Sequence, residues 1–271
     1  MAIIEEIAGQ NSQITFLQLK ENIGNCAAFN KGFAVAKGDF IIDFATDDVM
    51  LSNRIEKQVN VFSKLDQSFG VVFTNADYID SEGRKLRNHK EHLVTKGLIS
   101  MMPEGNIFRD VLIRYFICSP TMMIRKVVLD QMNGYDDGLV YEDFDFWVRS
   151  SRNFKYAYSN EVTTKVRRTG NSMSSGWYEQ GDKQLHSTYL VCRKAVTLCR
   201  DEEDKQALLT RVRYEFKQAI FSGNRSEAKL FGRLEKEIEG HDLQYYVFNF
   251  LSWLPLPWAW IRNKYHQAFY S

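Results

Sequence analysis

The sequence predicts an α/β protein in which a mostly parallel sheet is flanked by helices and followed by a helical extension. Short strand-like apolar runs alternate with segments of helical spacing in the first part of the chain, which is typical of α/β domains. Residues 40–44 form one such run, and Asp47 and Asp48 follow it, as expected of a buried parallel strand and its end. From about Tyr178 apolar residues recur at helical steps, which predicts a second, helical part.

Composition and charge narrow the classes of function. The chain has 271 residues, of which 44% are hydrophobic and 25% charged, enough for one full domain and an extension. The formal net charge of +1 gives no bulk electrostatic reason to expect nucleic acid as a partner. The four cysteines lie far apart, and the start of the chain lacks a basic stretch before a long apolar run. A reducing, cytoplasmic location is therefore predicted.

Two adjacent acids, Asp47 and Asp48, stand where the predicted strand 40–44 ends. In open α/β sheets ligands bind outside the carboxyl ends of the strands, and paired carboxylates there suit a divalent cation with its phosphate ligand. The alternative is that the pair only turns the chain and caps the next helix, because aspartate is a favoured N-cap residue.

A second acidic pair, Glu142 and Asp143, precedes a predicted helix with an aromatic face formed by Phe144 and Trp147. A carboxylate at a helix N-terminus is kept ionised by the helix dipole, and a general base must be ionised and exposed to a cleft. The pair is therefore a candidate base. Capping of the helix is again the alternative.

The remaining segments of the first part supply the scaffold. Helices are predicted for residues 2–8, 26–36, 52–65 and 107–115, and strands for residues 14–19, 69–73, 77–79 and 117–125. Small residues in the helix 26–36 let its backbone approach the sheet, and its Asn30 faces either a ligand or solvent. In the helix 52–65 the apolar face is assigned to Ile55, Val59 and Phe62.

Three ordered segments carry a resemblance to a known family. They are Asn22-x-Gly24 continuing through Ala28-x-Asn30-x-Gly32 to Asp39-Phe40, then Thr46-Asp47-Asp48, then Tyr141-Glu142-Asp143-Phe144-Asp145-Phe146-Trp147-Val148-Arg149. In this order and spacing they resemble the family 2 glycosyltransferases of the GT-A fold, the fold of nucleotide-diphospho-sugar transferases. The resemblance covers about residues 1–175.

The resemblance implies a donor side of the site. Asp48 is similar to the family's ligand for Mg²⁺ or Mn²⁺, which bridges the diphosphate, and Asp47 is expected near the ribose. Asn30 matches an asparagine near the donor. Arg167 and Arg168, followed by residues 170–174, resemble a mobile loop that closes on the diphosphate, and arginine forks neutralise phosphate well.

The resemblance also implies the reaction. Asp143 is similar to the family's catalytic base, and Glu142 would orient that base or the acceptor. The expected function is metal-dependent transfer of a sugar from a nucleotide-diphosphate donor, a UDP-sugar, to an acceptor hydroxyl with inversion. The expected acceptor is a glycan or a lipid-linked saccharide, as in polysaccharide biosynthesis.

Two other functions stay open. The chain could be a catalytically silent remnant of such an enzyme that acts only as a binding module. It could also be a metal-dependent phosphohydrolase using Asp47 and Asp48, but further ligands are not clearly placed on neighbouring strand ends.

The chain departs from the family pattern in three places. Ala45 replaces the first acid of the strand-end motif, and Thr169 stands where many members have histidine. The opening strand-helix-strand unit of the family is not recognised, so the GT-A domain is expected to be N-terminally incomplete. In that case residues 14–19 should pair directly with the central strand, or the chain should associate through an exposed edge, with weak binding of UDP.

Two domains are predicted, a GT-A domain over residues 1–176 and a helical extension over residues 177–271. Residues 245–264 are densely aromatic, but Pro255 and Pro257 interrupt them, and a span of the bilayer takes about 20 apolar residues. This tail either packs on the catalytic domain or lies peripherally at the inner face of the membrane.

Overall fold

The computed structural model describes residues 2–169, 178–239, 243–254, 256, 258, 260–262 and 264. The helices of these parts are α1 (Ala2–Gln10), α2 (Asn25–Phe33), α3 (Arg54–Phe62), α4 (His89–Thr95), α5 (Phe108–Ile113), α6 (Lys126–Met132), α7 (Asp143–Ser150), α8 (Lys183–Leu198), α9 (Glu202–Phe221), α10 (Arg225–Glu239) and α11 (Leu243–Trp253). The strands are β1 (Phe40–Ile41), β2 (Val49–Met50), β3 (Phe69–Ile79), β4 (Lys85–Asn88), β5 (Met123–Arg125) and β6 (Lys155–Arg167). The helices predicted near the start of the chain and in the extension are confirmed.

The sheet is mixed. Its strands are ordered β1-β5-β3-β6-β2, and β4 pairs with β3 outside this path. Strands β3 and β6 run parallel, with Ile79 opposite Arg167 at one end, whereas the other pairings of the described strands are antiparallel. The sequence predicts a mostly parallel sheet because apolar runs mark strands that are buried on both faces. That burial does not fix the direction of the neighbouring strand.

Three predicted strands differ from the structure. In the predicted strand 117–125 only Met123–Arg125 is strand, after a 3₁₀ turn at Ser119–Thr121. Residues 40–44 are strand only at Phe40–Ile41, which pairs with β5. Residues 14–19 form no strand, and the Ile14 amide instead donates to the Asn11 carbonyl in a turn after α1. An alternating pattern forms a strand only where a neighbouring edge supplies hydrogen bonds. The expected pairing of residues 14–19 with the central strand is therefore wrong, whereas association through an edge stays a prediction.

Helix α3 buries part of the predicted face, because Phe62 is in the core and Val59 packs against it, but it also buries two polar residues. Ile55 is 55% exposed, whereas Arg54, Gln58 and Phe62 are buried. The Arg54 guanidinium donates to the Gln58 and Thr164 side chains at 2.9 and 3.1 Å and to a backbone carbonyl. Because a buried charge needs hydrogen-bond partners, this polar set determines how the helix lies on the sheet. Hydrophobic spacing alone misplaces Ile55 and does not reveal the buried Arg54 and Gln58.

The helical extension packs directly on the sheet domain. The Asp204 carboxylate at the start of α9 accepts a hydrogen bond from Arg109 of α5 at 2.8 Å. Arg211 of α9 donates to the Leu112 carbonyl at 2.9 Å, and Lys194 of α8 lies 2.6 Å from Asp145 of α7. Charged and polar contacts thus fix the extension against the helices next to the acidic pair. The predicted boundary at residues 176 and 177 lies outside the described residues.

The tail is described only in part. Among the described residues, none of the helices combines the length and apolar character needed to cross a bilayer. Helix α11 leaves Tyr246 and Phe250 55% and 64% exposed. Peripheral membrane contact through residues 245–264 stays a prediction.

Candidate active site

The first acidic cluster, Asp47 and Asp48, is hydrogen-bonded to the end of strand β6. Asp48 Oδ1 accepts a hydrogen bond from the Arg167 amide at 2.8 Å, and Arg167 Nε donates to the Asp47 carbonyl at 2.9 Å. Strand β2, which follows Asp48 directly, pairs with β6. Desolvation raises the pKa of Asp48, and Asp47 adds to this, while the Arg167 amide and the two neighbouring arginines oppose it. The structure therefore brings Asp47, Asp48, Arg167 and Arg168 together at one end of the sheet, while their roles towards a donor stay predictions.

The two arginines of this cluster differ in their contacts. Arg167 Nη1 donates to the carbonyls of Asp80 and Ser81 at 2.8 and 2.9 Å, so its guanidinium holds the backbone of this corner together. The Arg168 guanidinium lies 4.5 Å from the centroid of the Tyr78 ring. A cation–π contact of this kind orients the guanidinium beside the end of β6. The predicted closing loop begins at Arg167, but Arg167 is the last residue of strand β6. Residues 170–174 lie outside the described residues, and phosphate contacts of both arginines stay predictions.

The second acidic cluster surrounds the start of α7. Asn25 Nδ2 donates to Glu142 Oε2 at 2.6 Å, and the Ser119 hydroxyl hydrogen-bonds to the Asp143 carboxylate. Desolvation, with the charges of Glu142 and Asp43, raises the pKa of Asp143 well above its ordinary value. Desolvation and Glu142 also raise the pKa of Asp43 to about 6, against a hydrogen bond from Tyr135. Crowding of like charges away from water makes Asp143 a stronger base than a surface aspartate.

The two clusters lie on either side of residues 118 and 119. Burial raises the pKa of the Cys118 thiol to about 12, and the charges of both Asp48 and Asp143 contribute to the rise. Beside Asp143 is a cavity of about 590 Å³, whose lining includes Asn25, Ala45 and Glu142. Because Ala45 belongs to the loop that ends in Asp48, this cavity reaches from the second cluster towards the first. A substrate bound in it would contact the second cluster and the loop that leads to the first.

The carboxylates fit a cation that arrives together with a diphosphate. Within the described ranges no group of three or more histidine, cysteine, aspartate or glutamate side chains could hold a metal. Mg²⁺ in nucleotide sites commonly uses one or two carboxylates plus substrate phosphates and waters. The hydrogen bond from Arg167 uses Oδ1 of Asp48, so Oδ2 is the oxygen with which Asp48 would bind such an ion. These carboxylates therefore suit Mg²⁺ or Mn²⁺ only together with the phosphate oxygens of a bound diphosphate.

The Asn30 side chain is hydrogen-bonded within the fold. Its Nδ2 donates to the Tyr135 carbonyl at 2.8 Å, and its Oδ1 accepts from the Tyr135 amide at 2.9 Å. Both ends of the amide are thus used to hold α2 against the loop before α7. Contact of Asn30 with a donor stays a prediction, and it would require these two bonds to break.

Replacing Asn30 by alanine is expected to lower the free energy of unfolding by about 1–3 kcal/mol, because two backbone groups of Tyr135 lose their partner. Urea unfolding measures this effect. Calorimetric titration of the same variant with UDP and Mn²⁺ should give nearly the parental affinity. An unchanged stability together with a large loss of affinity would show that Asn30 contacts the donor instead.

Sequence reasoning missed three members of the site. Asp43 interrupts an apolar run of the strand segment, Ser119 precedes a proline, and Arg54 opens an amphipathic helix. Asp43 itself was the one available signal, because it is a charged residue inside an apolar run and burying an unpaired carboxylate is energetically costly. The positions of Ser119 and Arg54 depend on contacts between distant segments, which a single sequence does not reveal.

The chain was compared with known proteins. Residues 1–132 match the family model described as glycosyl transferase family 2. An uncharacterized glycosyltransferase of Methanocaldococcus jannaschii is 28% identical over 172 residues, which cover 61% of this chain and 54% of that protein. One of Rickettsia typhi is 28% identical over 152 residues, covering 55% of this chain and 45% of that protein. The chain spans about half the length of these curated relatives.

Two solved structures are similar in fold. Residues 1–349 of TarS from S. aureus, in complex with UDP-GlcNAc, superpose with a TM-score of 0.61 at 16% identity, covering 88% of this chain and 67% of that one. The mannosyltransferase PcManGT from Pyrobaculum calidifontis, in complex with GDP-Man and Mn²⁺, gives a TM-score of 0.50 at 9% identity, covering 92% and 65%. At these identities the likeness shows the fold alone, and the predicted GT-A fold is confirmed.

Proposed function

This chain belongs to glycosyl transferase family 2 through its residues 1–132, and we propose that it moves a sugar from a nucleotide-diphosphate donor to an acceptor hydroxyl with inversion. The supporting observation is the cavity of about 590 Å³ that has Asp143 in its lining and reaches the loop of Asp48. The proposed donor is a UDP-sugar, and the proposed acceptor is a glycan or a lipid-linked saccharide of polysaccharide biosynthesis.

Asp143 is the proposed general base. It takes the proton of the acceptor hydroxyl while the acceptor oxygen attacks the anomeric carbon of the donor. The bond from that carbon to the diphosphate oxygen breaks, and the nucleoside diphosphate leaves from the opposite face, so the configuration inverts. The raised pKa of Asp143 supports this role because a stronger base removes the proton more readily. Glu142, held by Asn25, orients the base or the acceptor.

Asp48 is the proposed protein ligand of Mg²⁺ or Mn²⁺, with Asp47 near the ribose. A bound cation would supply charge neutralisation for the departing diphosphate. Arg168 lies at the end of β6, and the fixed positive charge of its side chain favours a phosphate at the same edge. Arg167 contributes mainly by keeping the corner around Asp47 and Asp80 in place.

Replacing Asp48 by asparagine is expected to abolish the Mn²⁺-dependent part of UDP binding, because the amide lacks the charge that attracts the cation. Calorimetric titration with UDP, with and without Mn²⁺, measures the change. The exposed Asp39, replaced in the same way, is the matched control and should bind as the parent does. Unchanged affinity of the Asp48→Asn variant in Mn²⁺ would reject this residue as the ligand.

A binding module without catalysis is the second candidate, and the contacts of Arg167 are the observation in its favour. Its guanidinium is already used by three backbone carbonyls, which reduces what it can offer a phosphate. Release of UDP from a UDP-sugar in the presence of acceptor distinguishes the two. A chain that binds UDP with Mn²⁺ but releases none from any UDP-sugar is a binding module.

A further inference from the structure

A second cavity, of about 980 Å³, lies between the loop before α7 and the helical extension. Its lining includes Gly138, Val140, Lys183, Arg225, Trp258 and Trp260, and we call it the extension groove. It is formed by the loop before α7, the first turns of α8 and α10, and the tail residues that follow α11. None of the roles proposed above uses this groove.

One wall of the groove is aromatic and contains a buried polar group. Trp260 is 61% exposed, so its ring presents a flat apolar face to a ligand. Trp258 packs edge-on against Phe221 at 5.6 Å, and its indole Nε1 is buried without a hydrogen-bond partner among the described residues. An unsatisfied buried donor is unfavourable. A ligand with oxygen acceptors next to apolar faces would satisfy both features.

The opposite wall is polar and balanced in charge. Lys183 and Arg225 contribute positive charges, and Asp182 and Glu227 contribute negative ones. His186 Nδ1 lies 3.5 Å from Glu227 Oε1. Because neither sign dominates, the groove offers no net attraction to a polyanion. The charge pattern therefore favours a neutral, hydroxyl-rich ligand.

The floor of the groove is fixed in place by Asn224. Its Oδ1 accepts from the Gly181 amide at 2.7 Å, and its Nδ2 donates to the Glu179 carbonyl at 2.8 Å. These bonds tie the turn between α9 and α10 to the segment before α8. A rigid floor reduces the entropy that is lost on binding, so the groove is formed before a ligand arrives.

The groove adjoins the cavity of Asp143. Val140 lines both cavities, and its amide donates to Ser187 Oγ in the first turns of α8 at 3.2 Å. Val140 precedes Asp143 by three residues, which in an extended chain span at most about 10 Å. A chain-like ligand that passes Val140 would therefore have one end within about 10 Å of the base.

We propose that the extension groove binds the non-reacting part of a neutral oligosaccharide acceptor and presents its terminal hydroxyl to Asp143. This proposal rests on the proposed function, because it concerns the acceptor of that reaction. The sugar rings stack on Trp260, and Lys183 and Arg225 donate to hydroxyls. Because Trp258 Nε1 is buried, a sugar oxygen accepts from it only after the indole turns towards the groove. Longer acceptors are bound more tightly than disaccharides, since only they fill both cavities.

The test is binding of the full chain to an array of neutral oligosaccharides, from disaccharides to octasaccharides, followed by titration of the best binder. The variants are Trp260→Ala and Trp258→Phe. The second keeps an aromatic side chain but removes the indole N–H. Tyr246→Ala is the control, because Tyr246 is an exposed aromatic side chain of α11 and is not part of the groove lining. The same variants are titrated with UDP and Mn²⁺.

The expected result is roughly a tenfold or larger loss of glycan affinity in Trp260→Ala, as for the loss of a central aromatic contact, with a smaller loss in Trp258→Phe. Tyr246→Ala should bind as the parent does, and UDP binding should be unchanged throughout. Failure of the parent chain to bind any glycan would reject the proposed role of the extension groove and would not affect the proposed donor site. Failure to bind UDP, with glycan binding that still depends on Trp260, overturns the proposed function alone.

Two further outcomes also reject the proposal. One is binding of polyphosphate to the groove as tight as that of the glycan, because the ligand would then be a polyanion. The other is binding to phosphatidylglycerol vesicles that depends on Trp260 while glycan affinity does not. In that case the tail serves as a membrane contact.

Discussion

Replacing Asp143 by asparagine is expected to reduce the rate of sugar transfer by roughly 10²-fold or more, because the acceptor hydroxyl loses its base. Binding of UDP with Mn²⁺ should stay close to that of the parent, since Asp143 lies in the second acidic cluster and Asp48 in the first. Steady-state release of UDP measures the rate, and calorimetry measures the donor affinity. The exposed Asp137, replaced by asparagine, is the control.

The same substitution should change the dependence on pH. Only the ionised form of Asp143 accepts a proton, so kcat of the parent should rise as pH increases through its raised pKa. The asparagine variant should lack this rise. Parental rates in the variant at every pH would show that Asp143 only caps α7.

The raised pKa also has a consequence for stability. A carboxyl group whose pKa is higher in the folded than in the unfolded state stabilises the fold at low pH, and this stability is lost as pH rises through the folded value. The Asp143→Asn variant should therefore unfold at a higher temperature than the parent at neutral pH. A lower melting temperature would mean that the ionised pair stabilises the fold, against the direction of the pKa.

Replacing Asp204 by asparagine is expected to lower the free energy of unfolding by about 3 kcal/mol, because a buried charge partner is removed from arginine side chains. The Asp204 side chain is 1% exposed and lies 2.8 Å from Arg109 and 2.5 Å from Arg152. Burial alone would raise its pKa, but Arg109, the Arg200 amide and Arg152 outweigh burial, so the pKa is lowered. Urea unfolding at neutral pH measures the loss.

Glu203 is the control for this substitution, since it pairs with the same Arg109 but its side chain is 77% exposed. Its replacement by glutamine should change stability little, because exposed ion pairs are screened by water. The lowered pKa predicts that the contribution of Asp204 is present above its unfolded pKa and disappears as pH falls through the folded value. Equal effects of the two substitutions would contradict the assignment of Asp204 as the buried contact between α5 and α9.

Much of the site follows from the sequence because its acids lie at ends of elements. Asp48 follows a strand-like run, and Asp143 stands at the start of an aromatic helix. Local patterns of this kind can be recognised in a single sequence. The GT-A fold follows from the order of three motifs. The environment of the acids does not follow, because Asp43 and Ser119 reach Asp143 from segments far away in the sequence.

Two other differences between the sequence-based predictions and the structure also arise from contacts between distant segments. Apolar spacing places Ile55 in the core, but Arg54 is buried there instead because Thr164 and a backbone carbonyl offer it partners. Asn30 lies on a small-residue helix near the site, and only the position of Tyr135 shows that its amide is used within the fold. Polar networks between distant segments decide both cases, and hydrophobic periodicity carries no information about them.

The parallel pairing of β3 with β6 also bears on how the chain folds. The hydroxyls of Thr74 and Thr163 meet at 2.6 Å in this pair, although they are 89 residues apart in the sequence. Closing a loop of that length costs about 4 kcal/mol of chain entropy, and non-local strand pairing is slow. Helices α9 and α10, by contrast, are joined by a short turn and meet early. We therefore expect the edge that carries Asp48 and Arg167 to form late in folding, because it depends on this non-local pairing.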